Sequence, residues 1–146
     1  MHWQRQFLHP MMKAMDAPSR EECLAKRPRS NTPNAALALL NDPTFVEAAR
    51  ALATRIIKEK TGTLEERIQF AWLTVLSRKA KADEVALLVG LFKESAIEYA
   101  DQPERAKELL NVGLAPADAS LDPSELASWT MVSRAILNLG ETTIRN

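Results

Sequence analysis

After Pro43 the apolar residues Phe45, Ala49, Leu52, Ala53 and Ile56 recur at i, i+4, i+7, i+8 and i+11. That is one face of a helix with a period of 3.6, and it predicts a helix over residues 43–60. Its start is marked by Asp42-Pro43, a capping residue followed by a proline whose missing N–H is no loss at the first helical position. Thr32-Pro33 repeats the signal ten residues earlier and opens a segment, 33–40, made almost entirely of Ala and Leu. Such a segment is expected to be a buried helix. Gly62 is the expected stop of the 43–60 helix, because glycine takes the left-handed position past a helix end.

The same period continues downstream. Thr63-x-x-Glu66 has the spacing of a capping box, and Leu64, Ile68, Ala71, Trp72 and Val75 follow on one face. A turn is expected over 77–81. Residues 82–99 carry Val85, Leu88, Val89, Phe92, Ala96 and Tyr99 on one stripe, and Asp101-Gln102-Pro103 ends that helix and starts a short one to residue 110. A loop around Gly113 and Pro116 leads to Asp122-Pro123-Ser124-Glu125, a third capping pattern. The helix that follows, to residue 138, has two apolar stripes: Leu126, Trp129, Ile136 and Leu137 on one, Val132, Ala135 and Leu139 on the other. A helix apolar on most sides is expected at the centre of the core. No stretch alternates with period two long enough for a strand. The reading is therefore all-α: a compact irregular bundle of about five to seven helices with proline-marked starts.

The N-terminal segment, residues 1–18, is less regular. Trp3, Phe7, Met11 and Met15 repeat every four, but Pro10 interrupts the run. A short helix and an extended segment laid on a core both fit. Its large apolar residues want cover, so residues 1–15 are expected either to fold back loosely on the bundle or to present an apolar surface to a partner, which would show as self-association or disorder at the N-terminus. Ser19-Arg20-Glu21-Glu22 fits a capping box and predicts a short helix over 20–26, followed by the basic loop Lys26-Arg27-Pro28-Arg29.

Composition adds limits. The 146 residues are 46% hydrophobic and 26% charged, with Lys+Arg and Asp+Glu at 19 each. One domain is expected, and the zero net charge lacks the basic face that nucleic acid requires. The single Cys23 has no CxxC or CxxCH company, and His2 and His9 lack metal-ligand helix spacing. No cofactor is expected in this chain. Glu21-Glu22 and Glu65-Glu66 sit in first turns, where acids favour the helix dipole. The N-terminus lacks the pattern of a signal peptide, and no stretch approaches the ~20 apolar residues of a membrane helix. As it stands the chain reads as cytoplasmic.

Polar candidates are few. Arg27 and Arg29 precede Asn31-Thr32-Pro33, a helix start with free N–H groups, and basic side chains there could hold an anion or meet a partner. A solvated loop, or arginines paired with nearby acids, explains the same residues.

The order of motifs is more specific than any one of them. FLHPMMKAMDAPSREEC (7–23), RPRSNTPNAALALLNDPTFVEAARALA (27–53), ERIQFAWLTVLSR (66–78), ADEVALL (82–88) and ELASWTMVSRAILNLGE (125–141) resemble one family. It is the planctomycete cytochrome-c-associated C-terminal domain, domain of unknown function fifteen fifty-three. The resemblance implies that residues 1–146 form the C-terminal part of a larger family domain. It implies an exported bacterial protein with a cytochrome-c-like module upstream, so that haem belongs to a separate domain and the location is periplasmic or outside the cell. The partners implied are the earlier part of the same domain or other domains of the larger protein. Asn34-Ala35 stand where the family commonly has Leu-Gln, and Gly140 where it commonly has Asp. The resemblance carries no catalytic residues.

Two functions follow. One is a non-catalytic helical structural or interaction module. The other is an accessory part of a periplasmic or surface enzyme acting on polysaccharide, for which Arg29, Asn31, Asn41, Asp42 and Glu47 would have to converge on one cleft.

Overall fold

A computed structural model describes residues 8–18, 25 and 32–143. Among them are eight helical segments and no strand: α1 (Pro10–Ala14), α2 (Pro33–Asn41), α3 (Pro43–Glu59), α4 (Leu64–Leu76), α5 (Ala82–Asp101), α6 (Pro103–Leu110), α7 (Pro123–Leu137) and α8 (Gly140–Thr143). The all-α reading stands, and six of the segments have eight residues or more. By the density of their contacts the residues form two compact units, Met1–Asn41 and Asp42–Asn146.

In the first unit Pro10 does not interrupt a helix but begins one, because proline at the first position has no N–H to lose. α1 ends in a turn where Asp16 takes φ +54°. α1 packs on α2. The Thr32 hydroxyl accepts the Ala35 N–H at 3.2 Å and so caps α2. α2 is not a buried helix: none of its residues is fully buried, and Leu37 is more than half exposed. Composition misleads here because a nine-residue helix can bury only the side it has a partner for. The helix expected over 20–26, Cys23 and the basic loop 26–29 lie outside the described residues, Ala25 apart.

The second unit is organised around α7. It packs on α3, α5 and α6 and also touches α4 and α8. Leu126, Ala127, Ser128, Trp129, Thr130, Val132, Ser133 and Ile136 are all buried, which is the all-round burial its two stripes predict. Two of the three buried hydroxyls bond within the helix, Ser128 to the Ser124 carbonyl and Thr130 to that of Leu126, both at 2.7 Å, while the Ser133 hydroxyl has no partner among the described residues. Trp129 has no exposed surface, lies 4.8 Å centroid to centroid from Phe92 on α5, and has an indole N–H without a partner among the described residues. The ring therefore contributes apolar area and aromatic contact, not hydrogen bonding.

Caps do much of the local work. The Asp42 carboxylate accepts the Thr44 N–H at 2.9 Å, as its position before Pro43 predicts. Thr63 and Glu66 form the full capping box. Asp122 accepts the Glu125 N–H at 2.8 Å, but the Glu125 side chain turns to Arg67 on α4 at 3.0 Å, an ion pair across helices that displaces the local box. α3 ends at Glu59 with Lys60 as its C-cap, two residues before Gly62, whose φ of +134° serves the turn into α4 instead of capping α3. On α3 the buried stripe is Val46, Ala49, Arg50, Leu52, Ala53 and Ile56, so Val46 takes the place expected for Phe45. On α5 the buried residues are Leu88, Ser95 and Tyr99, one step round from the expected Ala96.

Trp129→Ala should cost roughly 3–5 kcal/mol in denaturant titration, as for other buried large aromatics. Trp129→Phe should cost clearly less, since no hydrogen bond of the indole is lost. Asp42→Ala should cost about 1 kcal/mol through loss of the cap.

Candidate functional site

A concentration of polar groups lies where α3 meets the segment between α6 and α7. Helical spacing puts Glu47 and Arg50, at i and i+3, side by side on α3. Arg50 is 4% exposed, and the charge at its tip is met by backbone carbonyls: Leu110, Val112 at 3.0 Å and Ala115 at 2.5 Å. Glu47 takes the complementary groups, accepting the N–H of Leu114 at 2.6 Å and of Ala115 at 3.3 Å. Those two N–H groups, and then the neighbouring Arg50 charge, hold the Glu47 carboxyl below its usual pKa. One turn of α3 thus holds both the donors and the acceptors of residues 110–115.

Gly113 makes this approach geometrically available. Its φ is +104°, and a Cβ there would sit 2.3 Å from Glu47 Oε2 and 2.9 Å from Glu47 Cβ. The held loop presents Leu114 fully exposed at its tip. Beside it, Pro43, Thr44, Ala48 and Ala51 line an open, largely apolar depression of about 310 Å³. Across the clasp a second open depression, about 580 Å³, runs past Arg50, Thr54, Pro116 and Asp118. Lys58 reaches Asp118 over its edge, and that bond, with the hydroxyl and N–H of Ser120, keeps the Asp118 carboxyl well below the usual range. The Thr54 hydroxyl donates to the Arg50 carbonyl at 3.0 Å.

A second ionic node joins α4, α5 and α8. Arg78 forks to Glu84 through contacts of 2.8 and 3.0 Å and to Glu141 through two of 2.8 Å, with its guanidinium 5.2 Å from the centroid of the Trp72 ring. Glu84 also accepts the Lys81 N–H at the start of α5. The Arg78 bonds first, and that N–H second, pull the Glu84 carboxyl down to about 2.

The described residues among those put forward for a cleft or an anion site each have a local place. Asp42 caps α3, Glu47 holds the 110–115 loop, and Thr32 caps α2, while Asn41 is the exposed last residue of α2. Arg27, Arg29 and Asn31 lie outside the described residues. Among the described residues no group of three or more His, Cys, Asp or Glu is placed to hold a metal ion, and no helix is long and apolar enough to cross a membrane. Arg50 is the residue that sequence reasoning missed. Its signal was present: 46, 49, 50 and 53 share a face, so a stripe drawn from Val46 contains the arginine.

The described residues form an all-helical fold in which Glu47, Arg50, Lys58 and Arg78 bind its own loops and helix ends. Over residues 1–92 the chain matches the family described as Protein of unknown function (DUF1553), PSD1. The match covers more than half of the 146 residues, and the chain belongs to that family. The stretch 125–141, part of the resemblance seen in the sequence, lies beyond the matched residues. No curated protein and no solved structure matches the chain.

Arg50→Leu should cost about 3 kcal/mol, because buried carbonyls lose a charged donor. Gly113→Ala should cost about 1–3 kcal/mol through strain at positive φ, with no other loop glycine needed to explain it. Both are read from urea unfolding.

Acid should weaken the fold. Glu47, Glu59, Glu84, Asp118 and Glu141 all have folded pKa values below their ordinary ones, so their stabilisation is complete above about pH 5 and fades as pH falls toward the folded values. Tm should drop steadily between about pH 5 and pH 2, the latter being where Glu84 titrates. Glu84→Gln should lower Tm at neutral pH and flatten the lowest part of that profile.

Proposed function

We propose that this chain is a non-catalytic helical structural and interaction module of a larger exported bacterial protein. The observation that carries the reading is where the ionic side chains go. Glu47 and Arg50 hold the loop after α6, Arg78 ties Glu84 to Glu141, Arg67 meets Glu125 and Lys58 meets Asp118. Asp42, Thr63 and Asp122 cap helices. These groups build a rigid surface, with Leu114 raised on a held loop beside a shallow apolar depression. Shallow, largely apolar relief with a polar rim suits a protein partner better than bond-making chemistry.

The family resemblance supplies the setting: a planctomycete protein, exported to the periplasm or beyond, with haem carried on a separate cytochrome-c-like domain. The partner is the earlier part of the same family domain or another domain of that protein. Residues 1–15, which carry Trp3, Phe7, Leu8, Met11, Met12 and Met15, would join such an association through their apolar side chains.

The test pairs binding with activity. The purified chain should co-elute with the upstream domains of a full-length family member in size-exclusion chromatography, and Leu114→Asp should weaken the complex. It should release no reducing sugar from a panel of polysaccharides. Sugar release that disappears in Glu47→Gln or Asp42→Asn, with the helical signal in circular dichroism intact, would replace this reading with the polysaccharide enzyme.

A further inference from the structure

We draw no further inference here: the strongest candidate, the outward face of α5 where Leu87 and Ile97 stand exposed on either side of Gly90, carries none because nothing in the structure shows what covers it.

Discussion

The buried guanidinium of Arg50 is the constraint on which the second unit depends. α7 is covered on nearly every side, so the chain must leave α6, cross the surface of α3 and re-enter the centre. The crossing segment, residues 111–122, has no regular ladder to satisfy its backbone. Arg50 and Glu47 meet its first part, the carbonyls of Val112 and Ala115 and the N–H groups of Leu114 and Ala115, from one helical turn. A buried arginine is tolerable only where acceptors surround it, and the last residue of α6 supplies one and the loop after it two.

That dependence bears on how the family match maps to the fold. The match stops within α5, yet α3 and α5 bury much of their apolar surface against α7, which lies beyond it. Residues 1–92 therefore hold only one side of the core. Trp129 and its neighbours hold the other, and Phe92 meets Trp129 at the seam. The stable unit is set by packing and runs past the edge of the matched stretch.

Much of the fold was legible in the sequence because its signals are local. Asp42-Pro43, Thr63-x-x-Glu66 and the two stripes of α7 act through neighbours in the chain, so spacing alone finds them. What spacing could not find is what distant segments decide. Glu125 fits a capping box but is taken by Arg67, from a helix 58 residues earlier. The Ala/Leu composition of α2 suggests burial but does not state what would cover it. Arg50 interrupts an apolar stripe and reads as a flaw until the carbonyls of residues 110–115 arrive. Of the anion candidates at 27–32, Thr32 alone lies among the described residues, and its hydroxyl is occupied as a cap.

The contact between Gly113 and Glu47 links two positions 66 residues apart. With no room for a Cβ at 113 while the Glu47 side chain holds the loop, neither position can drift alone. A side chain at 113 would require both a different backbone angle and a different placement of residue 47, and losing the carboxylate would release the Leu114 N–H to water and free the loop. Among descendants of this sequence the two sites should change together or not at all. The pair would then serve as a mark by which to tell which members of the family have kept this loop.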